Sequence, residues 1–570
     1  MSRVTDTMMY ASKPNRRQPD MTWENIAAEK RRRRAAAIEA VQPILKKAQL
    51  DGRPASAPKL EDIAALTSQL GNGSITAESV ALAYISRAIH AQSQTNCLSE
   101  PLFDDAVKQA RDLDAYFSRT GRLIGPLHGV PVSVKDQFNV RGVDTTLGYI
   151  ARSFKPAERD ASLVQTLKGL GAIIITKTTI PQSILWAETE SPVWGLTTYP
   201  QHPNLTPGGS SGGEAALLAM SGAVCGWGTD IGGSIRGPSH LCGLFGLKPS
   251  STRFPYAGVP NSQEGQAHVP SSIGPMSRHL STLIDMTRSC LLAQPWVLDP
   301  NVTPLPWRED KYVEVQTRPL KIGLILDDGV VRPHPEIELA VQRAAELLEQ
   351  AGHEIVPWDT SDHMDCIKIM DQVYRADGGE DIRNEVAAAG EPLLPHVAAL
   401  LESARPISVY NYWQLHRLKV AAQQAYNDKW NDSHRLGQAR HPEQRSVDVL
   451  ISPVMSHTAV PHRKTGKWVG YTKIWNFLDY TAMSFPLARF GGDPTEVGDS
   501  SSEQILVAAT RARAEFQQKY VPRNDLDEWN QQQYDPEAMH DLPIGVQIIG
   551  RRFEEEKVLG VATVLEKLLH

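Results

Sequence analysis

The chain has 570 residues, roughly four times a typical domain length of about 150. With 41% hydrophobic and 22% charged residues, it can bury a large core without disulfides or a structural metal. Lysine and arginine number 59 against 65 acidic residues, and the formal net charge of −6 offers no broad basic face for nucleic acid.

Five cysteines, odd in number and never spaced as CxxC, argue against a disulfide framework and a zinc cluster and point to a reducing compartment. No apolar run approaches the roughly 18–20 residues that span a bilayer. Residues 1–20 lack the apolar centre of a secretory signal and read as a lead-in without fixed structure. A soluble, cytoplasmic protein without a transmembrane segment is expected.

Residues 21–50 are rich in good helix formers and predict a helix whose basic run, Lys30 to Arg34, reads as a solvated face. A nuclear signal or an anionic-membrane contact is the functional alternative for that run. Helical segments follow around Thr67 and Leu70 and from Ala77 to Arg87, so residues 21–95 read as a helical amino-terminal arm. From about residue 125 short apolar strands alternate with helices. PVSVK (131–135) and AIIITK (172–177) read as buried strands, separated by an amphipathic helix that starts near Asp160. A Gly-rich stretch at 208–213 opens a helix from Glu214 to Met220. Further on come a strand at 320–326, a helix from Pro335 to Ala351 and a strand at 353–358. A strand at 447–454, a helix around Trp475, a strand at 544–550 and a closing helix follow. Residues 429–446 and 491–503 are polar and read as loops or insertions. This interleaving predicts an α/β fold, with a mixed sheet covered by helices on both faces.

Two Gly/Ser clusters carry the chemistry, GGSSGG at 208–213 and GTDIGGS at 228–234, with Lys135 at the end of an upstream strand. Glycines let backbone N–H groups approach a ligand closely. A serine that follows two glycines and opens a helix sits where unpaired N–H groups converge, and those donors can receive the oxyanion of an acyl intermediate. Ser234 is therefore the candidate nucleophile. The GxSxG pattern within the first cluster needs a strand directly before it, whereas the preceding segment is a proline-punctuated loop. No lysine follows these glycines as a P-loop requires, and Ile231 stands where a dinucleotide fingerprint needs its third glycine.

GGSSGGEAAL (208–217), GTDIGGSIRGP (228–238), GPLHGVPVSVKDQ (125–137) and LCGLFGLKPS (241–250) together resemble the amidase signature family. TWENIAAEKR (22–31), ARDLDAYF (110–117), TLGYIAR (146–152), EGQ (264–266) and YDPEAMHDLPIGVQIIGRR (534–552) extend the resemblance, which is closest to the fungal acetamidase branch. It implies one catalytic domain over 96–570 with its signature core at about 125–280. It also implies a triad of Ser234, Ser210 and Lys135 with a cis Gly209–Ser210 peptide. The N–H groups of Ile231, Gly232, Gly233 and Ser234 would form the oxyanion hole, and Ile184 would contact substrate beside the pocket residues Leu185 and Trp186. Asp230 and Arg236 flank the nucleophile and are expected to support it, by pairing or by capping loops. Lys135 can act as a base only if burial lowers its pKa from about 10.4, by about two to three pH units. His128 reads as a structural histidine, and Cys225 and Cys242 as small apolar groups.

The resemblance implies hydrolysis of a small-molecule carboxylic amide to acid and ammonia or amine, with no metal and no cofactor. Short aliphatic or simple aryl amides such as acetamide are the expected substrates, with Trp186 blocking longer chains. A fatty-acid-amide or N-acylethanolamine hydrolase is the first alternative. The A-type subunit of a tRNA-dependent amidotransferase is the second. A homodimer is common among similar proteins.

Overall fold

The structure, a computed structural model, describes residues 21–50, 62–437, 445–489, 516 and 520–569. The lead-in at 1–20 and the polar stretch at 491–503 lie outside the described residues. Three helices come first: α1 (Trp23–Leu50), α2 (Ile63–Gly71) and α3 (Ala77–Thr95). Thr76 caps α3 in a reciprocal capping box with Ser79, which satisfies two N–H groups at the helix start. Ile63, Leu66 and Leu70 of α2 and the apolar face of α3 join the main hydrophobic core.

Among the described residues, eleven strands form one mixed sheet in the order β1-β3-β2-β6-β8-β7-β12-β13-β11-β9-β10. They are β1 (Leu98–Pro101), β2 (Pro131–Lys135), β3 (Ile173–Thr178), β6 (Cys225–Asp230), β7 (Phe245–Lys248), β8 (Ser272–Ser277), β9 (Lys321–Leu324), β10 (Glu354–Pro357), β11 (Val449–Pro453), β12 (Ala482–Arg489) and β13 (Pro543–Ile549). A two-residue hairpin, β4 (Glu190–Ser191) with β5 (Gly195–Leu196), stands apart. The strands β3, β2 and β6 run parallel, while β8, β7, β12 and β13 continue the sheet antiparallel. Every residue of β2, β3 and β6 is buried, as expected for parallel strands covered on both faces.

Two expectations need correction. The basic run of α1 is a docking surface rather than a solvated face. Lys30 is buried and bonded to Asp144 (2.7 Å) and Glu100, and Arg31 donates to the carbonyls of Pro192 (2.7 Å) and Val193 (2.9 Å). Arg34 donates to the Leu98 carbonyl (2.7 Å), and the Arg33 guanidinium covers the Phe154 ring. On the outer side of the run Arg32 and Arg33 both pair with Glu29, at 2.7 and 2.9 Å. The second correction concerns residues 429–446. Lys429–Asp432 complete a helix, Val409–Asp432, because Trp430 is fully buried and donates its indole N–H to the Val447 carbonyl. Residues 438–444 lie outside the described residues.

Candidate active site

The site forms at the carboxyl ends of the parallel strands β2 and β6, where open α/β sheets commonly hold ligands. Alternation along β2 puts Ser133 and Lys135 on one face, under the helix Gly212–Ala219 and the loop before it. Ser133 donates to Glu214 Oε2 (2.6 Å), and Lys135 Nζ lies 2.7 Å from Ser210 Oγ. The pairing of Val134 with Trp227 then brings Thr229 alongside, with its Oγ1 2.9 Å from Lys135 Nζ. Thr229 in turn donates to Gln137 Oε1 (2.8 Å). Lys135 is wholly buried. That burial brings its amine down to about 7, against the opposing pull of Asp230, Glu214 and Asp136. Burial also pushes the Glu214 carboxyl up to about 8, although Ser133 and Thr178 donate to it.

The loop from Ile231 to Ile235 carries Ser234 and is folded around Asp230. The Asp230 carboxylate accepts the N–H groups of Gly233 (2.8 Å) and Ile235 (3.1 Å) and those of Arg236 Nη2 (2.9 Å) and Nε (3.0 Å). Burial alone would raise the Asp230 carboxyl, but Arg236 and Asn476 outweigh it and hold it well below the carboxylate range. Arg236 also donates to Gln547 Oε1 (2.6 Å) and Asn476 Oδ1 (2.7 Å), so this buried pair has partners for its remaining polar atoms. The carbonyls of the loop are held from outside it. Tyr374 Oη donates to the Ile231 carbonyl (2.7 Å) and Thr472 Oγ1 to the Gly232 carbonyl (2.7 Å). Gly233 has φ +127°, and a Cβ there would lie 2.3 Å from Thr472 Oγ1, so the position admits only glycine.

Of the four N–H groups assigned to an oxyanion hole, that of Gly233 is engaged by Asp230 and is not free to meet a ligand. The N–H groups of Ile231, Gly232 and Ser234 have no acceptor among the described residues. The Gly209–Ser210 peptide is cis, and the Ser211 N–H donates to the Ser234 carbonyl (3.2 Å), tying the two Gly/Ser loops together.

Ser234 opens onto a cavity of about 320 Å³, and Ile184, Leu185, Trp186, Ile231, Gly232 and Gly233 also line it. A smaller cavity of about 30 Å³ touches both Ser210 and Ser234 together with Thr229 and Ile184. Ser183 and Ile184 both adopt positive φ, which turns the Ile184 side chain into an apolar cluster with Leu147, Ile180 and Val397. The Trp186 indole stacks on the His396 ring, with centroids 5.1 Å apart. His128 lies at the opposite end of β2 from Lys135 and accepts the Ile124 N–H (3.2 Å). Cys225 and Cys242 are buried thiols.

Sequence reasoning missed Thr229, Glu214, Tyr374, Thr472, Asn476 and Gln547. Thr229 and Glu214 stand inside the motifs, where only their contact partners were hidden. The other four come from distant segments, and no local spacing marks them.

The mixed α/β fold thus gathers the hydroxyls of Ser210, Thr229 and Ser234 at one cavity. The Amidase family model matches residues 79–559. The chain is 50% identical over 551 residues to "Amidase 1" of Gibberella moniliformis, covering 96% of this chain and 99% of that one. It is 36% identical over 571 residues to an acetamidase of Emericella nidulans, covering 96% and 98%. A solved structure titled fatty acid amide hydrolase superposes with a TM-score of 0.80 at 28% identity, over 98% of this chain and 92% of that one. The chain belongs to the amidase signature family and is an amidase. No described helix is long and apolar enough to cross a membrane.

Proposed function

We propose that the protein hydrolyses a carboxylic amide through an acyl-enzyme on Ser234. Ser234 Oγ bonds to the amide carbonyl carbon and passes its proton to Ser210 Oγ, which passes its own to neutral Lys135. The N–H groups of Ile231, Gly232 and Ser234 receive the oxyanion, where preorganised donors act most strongly. The C–N bond then breaks and the leaving nitrogen takes a proton back through the same relay. Water attacks the resulting ester, releases the acid and restores the serine. The contact that carries this reading is Lys135 Nζ to Ser210 Oγ at 2.7 Å, beside a cavity that Ser234 lines.

Small aliphatic or aryl amides are the proposed substrates. A volume of about 320 Å³ is at the low end of the range for ligand pockets, about 300–1,000 Å³, and Trp186, held by stacking on His396, forms part of its wall. Likeness to the acetamidases supports the same reading. Likeness to the fatty acid amide hydrolase structure supports the second reading, a long-chain acyl amide. A panel from acetamide and benzamide to a long-chain amide, run with wild type and Ser234→Ala, tests both. Turnover of the short amides that Ser234→Ala abolishes is expected. Undiminished turnover by that variant would overturn the nucleophile assignment.

A further inference from the structure

The outer part of the cavity carries a charge pattern that hydrolysis of a neutral amide leaves unused. Three cationic side chains line it, Arg375, Lys467 and Lys473, against a single carboxylate, Asp371. Lys473 is spent on that carboxylate, with Nζ 2.6 Å from Asp371 Oδ1. Arg375 and Lys467 have no acidic partner among the described residues; the Lys467 ammonium lies 6.0 Å from the Trp529 ring centroid, the outer limit of a cation–π contact. Both are exposed. Arg375 follows directly on the helix His363–Tyr374, whose last residue holds the Ile231 carbonyl. Lys467 follows Gly466, where a Cβ would lie 3.3 Å from the Trp186 indole. One cation therefore reaches the cavity from the side of the Ser234 loop and the other from the side of Trp186.

We propose that this cavity selects amides carrying a carboxylate, whose charge is received by Arg375 and Lys467 while the amide lies at Ser234. The inference rests on the amide-hydrolysis reading and names the substrate class for it. A formal net charge of −6 makes the surface as a whole unfavourable to anions, so two unpaired cations at the cavity set it apart from its surroundings. Clefts lined by one sign of charge concentrate ligands of the other, and arginine offers a carboxylate two parallel N–H donors. The remaining lining, Leu185, Trp186, Leu400 and Met455 among it, suits an aryl or short aliphatic spacer between amide and carboxylate.

The test uses matched pairs: benzamide against 4-carbamoylbenzoate, and hexanamide against the monoamide of hexanedioate. In each case kcat/KM is measured on the full chain at low and high salt. The carboxylated member of at least one pair is expected to be preferred at low salt, with the preference shrinking as salt rises. In the Arg375→Gln/Lys467→Gln double variant the carboxylate-to-neutral ratio is expected to fall about 5- to 20-fold, since each partly exposed charge pair is worth a few-fold in binding. A wild type that prefers both neutral members, or a ratio unmoved by salt and by the double variant, overturns the inference while leaving amide hydrolysis standing. A wild type that cleaves none of the four overturns the hydrolysis reading and this inference with it.

Discussion

Replacing Lys135 by methionine keeps an unbranched apolar side chain and removes the amine, which isolates what that amine does. In the folded chain burial brings it to about 7. In the unfolded chain it returns to about 10.4. Between those values the unfolded state binds more protons than the folded one, so wild-type stability rises with pH across that window. At about 1.4 kcal/mol per pH unit, the buried amine costs about 5 kcal/mol below pH 7 and about 2 kcal/mol at pH 9. Methionine has no such cost. The stability gap between variant and wild type should therefore shift by about 2–3 kcal/mol in favour of wild type from pH 6.5 to pH 9. The lost bonds to Ser210 and Thr229 offset that gap at every pH and leave its slope alone. Paired thermal melts at one scan rate read the shift, since a large chain can unfold irreversibly. In the same window wild-type kcat/KM should fall about tenfold per pH unit below pH 7 and level off above it, as expected for a base that must be neutral. The variant should lose about 10²- to 10⁴-fold. A stability gap that ignores pH, or activity that declines above pH 7 while the fold persists, would refute a depressed amine acting as the base.

Three other substitutions test the surrounding framework. Asp230→Asn leaves the buried Arg236 guanidinium without its counter-charge, and removing one partner of such a pair costs about 3–5 kcal/mol; a melting temperature unchanged within about 1 °C would contradict that. Tyr374→Phe deletes the 2.7 Å bond to the Ile231 carbonyl, worth about 0.5–1.5 kcal/mol. Its kcat should drop about 2- to 12-fold with KM little changed, and a rise in KM alone would mean that Tyr374 only binds substrate. Trp186→Ala opens the wall where the indole stacks on His396, and it should raise kcat/KM for hexanamide and longer amides relative to acetamide. No gain on any chain longer than acetamide would mean that something other than this ring limits chain length.

What could be read from the residues in advance follows from how local the physical demand is. A lysine at the end of a buried strand and two serines among glycines are legible because backbone geometry constrains neighbouring positions: glycine is required at 233, where φ is +127° and Thr472 lies against the missing Cβ. The parallel strands β2 and β3 are legible for a similar reason, since burial on both faces selects short segments rich in valine and isoleucine. The basic run of α1 misleads because charge spacing on a helix says nothing about what the helix meets. Here Glu100, Asp144 and the carbonyls of residues 98, 192 and 193 take up charges that would otherwise be solvated. Tyr374, Thr472, Asn476 and Gln547 are invisible for the same reason in reverse. Each is an ordinary polar residue until the fold brings it to the Ser234 loop, and there they fix its carbonyls and the Asp230–Arg236 pair beneath it. The motif thus specifies a loop whose donors can face a ligand, while segments more than a hundred residues away in sequence keep it in that shape. Arg375, Lys467 and Trp186 likewise reach the cavity from three separate segments, so the residues that would choose the substrate carry no common spacing by which the sequence could mark them.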